Sequence, residues 1–65
     1  MTIESFQGIA PIIHESVYVS PMAYVNGKVS IGQDSSVWPG VVIRGDMSKI
    51  SIGRRTSIQD GSVLH

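Results

Sequence analysis

A chain of 65 residues holds one domain at most, and a core of that size is only marginally stabilising, so such a protein leans on a disulfide, a metal or a partner. Cysteine is absent, which removes disulfides and thiolate ligands together. Five Lys and Arg balance five Asp and Glu, so no basic field argues for nucleic acid or an anionic membrane surface. No apolar run approaches the roughly 18 residues of a membrane span, and the start lacks a charged segment followed by an apolar one. These features predict an untargeted cytoplasmic protein that binds neither nucleic acid nor membrane.

In chain order, residues 1–12 stand outside any repeat. Phe6, Gly8, Ile9 and Pro11 suggest an irregular or short-strand lead-in, an N-terminal cap of the kind terminal repeats need. From 13 to 65 every sixth residue is aliphatic: Ile13, Val19, Val25, Ile31, Val37 and Ile43, then Ile52, Ile58 and Leu64 after one three-residue slip. Six residues advance an α-helix by about 600°, which scatters these side chains over three faces, so a helix fails. Strands fit. Two residues before each aliphatic position stand Val17, Ala23, Val29, Ser35, Val41, Ile50 and Thr56, small or β-branched, with one outward residue between. The pattern predicts short strands near 17–20, 23–26, 29–32, 35–38, 41–44, 50–53 and 56–59, with Ile13, Val19, Val25, Ile31, Val37, Ile43, Ile52 and Ile58 buried.

The corners between them read Glu15-Ser16, Pro21-Met22, Gly27-Lys28, Gln33-Asp34, Pro39-Gly40, Arg54-Arg55 and Asp60-Gly61, mostly turn formers. Strand and turn alternating every six residues wind into an all-β parallel β-helix of hexapeptide repeats, a triangular prism whose coils stack about 4.8 Å apart. Leu64 already points inward where the chain stops at His65. An uncapped β-helix exposes a full edge of unpaired backbone groups, so the sequence predicts an incomplete repeat region, continued by more chain or covered by a separate segment.

The slip holds the chemistry. From Ile43 to Ile52 the spacing is nine instead of six, so this corner carries five residues, Gly45 to Lys49, where its neighbours carry two. A longer corner is where a repeat protein accommodates a functional loop. Around it lie Arg44, Asp46, Gln59, Asp60 and His65. Arg44, Gln59 and His65 each follow an inward aliphatic residue and so point outward near corners. Counting 43–51 as one long unit places His65 nearly above Arg44.

The stretch Trp38-Pro39-Gly40-Val41-Val42-Ile43-Arg44-Gly45-Asp46, with Ile52-Gly53 and Thr56-Ser57-Ile58-Gln59-Asp60-Gly61-Ser62-Val63-Leu64-His65, resembles the N-terminal part of the γ-class carbonic anhydrase family. Hexapeptides alone equally suggest an acyltransferase; Arg-Gly-Asp paired with an Ile-Gln-Asp-Gly run ending in His is far more specific. The resemblance implies a left-handed β-helix, here truncated before its C-terminal coils and helix, in a homotrimer with a metal at each subunit interface. It makes His65 the first of three histidine ligands to zinc, or to iron in some members. It pairs Arg44 across the interface with an aspartate, here Asp60, and places Asp46 and Gln59 beside the metal's open position. The implied activity is reversible hydration of carbon dioxide to bicarbonate, which suits a zinc with three protein ligands and an open site.

Two positions depart from the family pattern. Ser57 stands where the family commonly has asparagine, and Met47 where some active members carry a glutamate for proton transfer. Plainer readings stand beside the functional ones. Arg44 and Asp60 are also suited to a surface ion pair worth roughly 0–1 kcal/mol, Trp38 and Tyr18 to packing at prism edges, and Arg54-Arg55 to a solvated corner. Two further functions stay open: a hexapeptide acyltransferase, and a carbonic-anhydrase-like structural or metal-binding subunit with little activity.

Overall fold

The computed structural model describes residues 2–65. They form eight strands and no helix: β1 (Thr2–Glu4), β2 (Ile12–Ile13), β3 (Tyr18–Val19), β4 (Tyr24–Ile31), β5 (Ser36–Val37), β6 (Val42–Ile52), β7 (Ser57–Ile58) and β8 (Val63–Leu64). Every strand pairing is parallel, and partners lie one coil apart: Val19 opposes Val37, Val25 opposes Ile43, Ile31 opposes Ile52 and Ile43 opposes Leu64. The hexapeptide period therefore becomes a coil of three strands, and like positions of successive coils stack. This is a parallel β-helix.

The three faces follow from the pairings. One carries β1, the first half of β4, the first half of β6, and β8; the second carries β2 and the second halves of β4 and β6; the third carries β3, β5 and β7. The lead-in contributes its own rung, since Thr2, Ile3 and Glu4 sit opposite Tyr24, Val25 and Asn26. It then turns back through a two-residue hairpin. Phe6 and Ile9 exchange backbone hydrogen bonds of 2.9 and 3.1 Å, and Gln7 and Gly8 both have positive φ, as the tight type I′ turn requires.

Val19, Ala23, Val25, Val29, Ile31, Val37, Val41, Ile43 and Ile52 form the buried core, drawn from both inward positions of each repeat. Ile13 and Ile58 were expected to be buried with them and are only partly so. The reason is stacking: β2 pairs only with β4 and β7 only with β5, so each lies against one coil instead of between two, and Val19 and Ile52, also paired on one side, are the least enclosed of the core at 8% each.

The corner between the first two faces also departs from the expected pattern. The pairs of short strands expected at 23–26 with 29–32, and at 41–44 with 50–53, run through this corner as the continuous strands β4 and β6. Gly27 remains paired with Gly45, and pairing resumes at Val29 with Ile50, so Lys28 faces the four residues Asp46 to Lys49. The slip is thus absorbed as a bulge in an extended strand, not as a separate loop.

Candidate functional site

On the first face the register stacks Glu4, Asn26 and Arg44 in one column. Each follows an inward aliphatic residue. Val42 pairs with Val63 and Ile43 with Leu64, so His65 follows one residue beyond this register, at the same end of the face as Arg44.

Arg44 reaches along its own strand. Its guanidinium donates from Nη2 and Nε to Oδ2 of Asp46, at 3.0 and 3.2 Å. The Arg44 side chain is 47% exposed and that of Asp46 15%, so the pair lies at the rim with its carboxylate turned in. The second oxygen, Asp46 Oδ1, is buried without a hydrogen-bond partner. A buried carboxylate oxygen with spare acceptor capacity is costly unless something donates to it. Asp46 also lines a hollow of about 240 Å³ between the Phe6–Ile9 hairpin and the bulge, with Lys28 and Lys49 at its edge. Met47, in the position where some family members carry a glutamate, is 83% exposed.

Gln59 and Asp60 lie elsewhere. They follow β7 at the corner between the third and first faces, where Ser62 donates its backbone N–H and its hydroxyl to the Gln59 carbonyl and Gly61 N–H bonds the Pro39 carbonyl. The Gln59 amide donates to Ser57 Oγ at 2.6 Å. That hydroxyl also receives the Trp38 indole N–H, which is shared with Ser36 Oγ, and Trp38 packs on Tyr18 with ring centroids 5.3 Å apart. Ser57, the residue that departs from the family pattern, thus orients Gln59.

The five expected site residues therefore divide into two groups at opposite edges of the first face, Arg44, Asp46 and His65 at one and Gln59 and Asp60 at the other. Within the chain Arg44 pairs with Asp46 and not with Asp60. The expected Arg44–Asp60 pair was one between subunits.

Among the described residues no group of three or more His, Cys, Asp or Glu side chains could hold a metal ion. His14 is occupied locally, accepting the Ser16 N–H at Nδ1 and bonding its hydroxyl. His65 is thus one imidazole donor without companions in this stretch.

Sequence reasoning missed Asn26, which occupies the outward slot yet is 8% exposed. Its Oδ1 accepts the Gly45 N–H at 3.1 Å and its Nδ2 donates to the Tyr24 hydroxyl, which donates to Glu4. The slot it shares with Arg44 was a visible signal; the partner one coil away was not.

A coil of three short parallel strands repeated every 18 to 21 residues, with a bulged corner bearing charged groups, defines a hexapeptide-repeat β-helix with a site at its edge. The chain matches the family model described as bacterial transferase hexapeptide (six repeats) over residues 10–45, more than half its length, and it belongs to that family. Within the family its relatives are γ-carbonic-anhydrase-like. The protein named gamma carbonic anhydrase 1, mitochondrial, from Arabidopsis thaliana is 48% identical over 56 residues, covering 86% of this chain and 20% of the relative. A protein named carbonic anhydrase from Geobacillus kaustophilus is 40% identical over 63 residues, covering 97% and 35%. The chain thus spans a fifth to about a third of these relatives' lengths. A crystal structure of a hexapeptide transferase family protein from Anaplasma phagocytophilum superposes with a TM-score of 0.81, covering 98% of this chain and 50% of that one; at 24% identity it shows the fold alone. No helix of the described residues is long and apolar enough to cross a membrane, and the Arabidopsis relative is mitochondrial by name, so the family names do not single out the cytoplasm.

Proposed function

We propose that the full-length protein is a γ-type carbonic anhydrase that reversibly hydrates carbon dioxide to bicarbonate as a homotrimer. The observation that carries this reading is the convergence of Arg44, Asp46 and His65 at one bulged corner, with an oxygen of Asp46 buried and unpaired. The described residues do not form a metal site by themselves. His65 supplies one ligand, and two further histidines must come from residues outside this stretch. A zinc so bound would bring the pKa of a coordinated water near 7.

This chain's residues have separate tasks. Asp46 fixes the Arg44 guanidinium by two donors to one oxygen, which sets a cation beside the column that ends in His65 and favours an anionic product. Its free oxygen can accept a proton donor entering the hollow. Ser57 holds the Gln59 amide nitrogen, so Gln59 presents its carbonyl oxygen outward to orient water. Asp60 would pair with Arg44 of a neighbouring copy.

The test uses the full-length protein. Replacing His65 by Ala should abolish metal retention, measured by elemental analysis, together with hydration measured by stopped flow. Replacing Gln59 by Ala should leave metal bound and slow turnover. A His65→Ala protein with stoichiometric metal and the wild-type rate would overturn the assignment. The family's transferase description favours one competing reading, acyl transfer from an acyl thioester, and turnover of acetyl-coenzyme A without hydration would establish it. Bound metal without hydration would instead identify a structural subunit.

A further inference from the structure

We infer that Asn26 is a positioning residue that sets the Arg44–Asp46 pair from one coil away, by holding the backbone of Gly45 between them. For its catalytic consequence the inference rests on the reading above. Asn26 stands in the slot that elsewhere presents Arg44, Gln59 and His65 to solvent, yet it is 8% exposed, and both ends of its amide are used inside the molecule. The hydrogen bonds run as a line: Tyr24 hydroxyl to Glu4 at 3.1 Å, Asn26 Nδ2 to the Tyr24 hydroxyl at 3.1 Å, and Gly45 N–H to Asn26 Oδ1 at 3.1 Å. Three successive coils are joined by it.

Its end point is what gives this line a functional role. Ser35 makes a comparable bridge at another corner, donating to the Gly53 carbonyl and accepting the Thr56 N–H, but neither of those groups lies between two charged residues of the candidate site. Gly45 lies between the two charged residues of the site and is the last paired residue before the bulge. Past it the four residues Asp46 to Lys49 face Lys28 alone, so the ladder holds them less firmly than a regular strand. The direction in which Asp46 leaves the strand is therefore set at Gly45. A buried amide with both ends satisfied is a rigid device for this, because any shift leaves a donor or acceptor unpaired. A site residue needs such support to keep its geometry.

An amide is suited to the task and a carboxylate only half suited. Aspartate at position 26 would still accept the Gly45 N–H but would lose the donor that engages Tyr24. Alanine would lose both.

The experiment compares wild-type, Asn26→Ala, Asn26→Asp and Tyr24→Phe forms of the full-length protein by metal content, steady-state hydration kinetics and NMR. The NMR readouts are hydrogen exchange of the Gly45 amide and the Arg44 Nε–H signal. Asn26→Ala should keep its metal and KM, lose about tenfold in kcat, the loss expected for one hydrogen bond, and expose both NMR protons to exchange. Asn26→Asp should restore Gly45 protection and most of kcat. Tyr24→Phe keeps the ring, removes only the hydroxyl that receives Asn26 Nδ2, and should fall between. The inference is overturned if the Gly45 and Arg44 signals are unchanged in Asn26→Ala, or, should that variant not fold, in Tyr24→Phe. It is also overturned if they change while kcat does not. If wild-type protein hydrates no carbon dioxide, the functional reading falls, and the two NMR signals alone decide whether Asn26 positions the pair.

Discussion

Replacing Gly45 by Ala tests how closely the bulged corner is packed. A Cβ at Gly45 would stand 2.7 Å from the Lys28 nitrogen and 2.8 Å from its carbonyl carbon and oxygen, all backbone atoms that cannot rotate away. Ordinary contact needs about 3.4 Å or more, so the coils must part locally by roughly 0.6 Å against a rung spacing near 4.8 Å. Gly45 does not have positive φ, so its cost is steric. Overpacking of this kind costs about 1–3 kcal/mol. Two other glycines isolate the alternatives. Gly61 has φ +76° with nothing within 4 Å of a Cβ, so Gly61→Ala carries only the left-handed backbone cost, about 1–2 kcal/mol. Gly53 has neither problem, its nearest contact being Thr56 Oγ1 at 3.9 Å, so Gly53→Ala should be neutral or stabilise by about 0.4–1 kcal/mol. Urea midpoints of the three full-length variants under matched conditions should place Gly53→Ala highest and both others clearly below wild type. If Gly45→Ala unfolds with Gly53→Ala, the close stacking of these coils is wrong, and with it the account of how Arg44 and Asp46 are aimed.

Two further outcomes follow from burial and from the serine network. Ile43→Ala, at a side chain fully buried between coils, should cost about 2–5 kcal/mol, and Ile13→Ala, stacked on one side only, distinctly less; equal losses in urea unfolding would contradict the layer assignment. Ser57→Ala removes the acceptor of Gln59 and should slow hydration several-fold without changing metal content, whereas an unchanged rate would show that Gln59 needs no such anchor.

The coil was legible because its determinants are local and periodic. A six-residue spacing of β-branched residues admits one inward set, and Val25, Val37 and Ile43 are completely enclosed as that spacing requires. The register was legible too, since counting repeats returned Leu64 to the face of Ile43 one coil later, and the two are paired. Burial of Ile13 and Ile58 was overestimated because a repeat motif reads alike in an end coil and a central one, while enclosure depends on neighbours above and below. The bulge and the role of Asn26 were hidden for a different reason. Both depend on pairing between residues about 19 apart, so the continuity of β6 through 45–49 and the bond from Gly45 to Asn26 exist only once the coils are stacked.

That stacking also has a consequence for assembly. Arg44, Asp46 and His65 project from one edge of the first face and Gln59 and Asp60 from the other, and outward side chains at different corners of a prism diverge. If all five serve one site, the second group must come from another copy, in a head-to-tail contact that a three-fold ring closes. The requirement can be tested by complementation. Full-length His65→Ala and Gln59→Ala proteins, each impaired alone, are coexpressed in equal amounts. In a ring where each site takes His65 from one copy and Gln59 from the next, every mixed trimer holds one intact site of three. Random assembly makes about three quarters of the trimers mixed, so about a quarter of the wild-type hydration rate should return above the residual of the separate variants. A site confined to one chain gives no such recovery. Activity at the mean of the two variants would show that His65 and Gln59 act within one chain, and the head-to-tail arrangement of the two edges would be refuted.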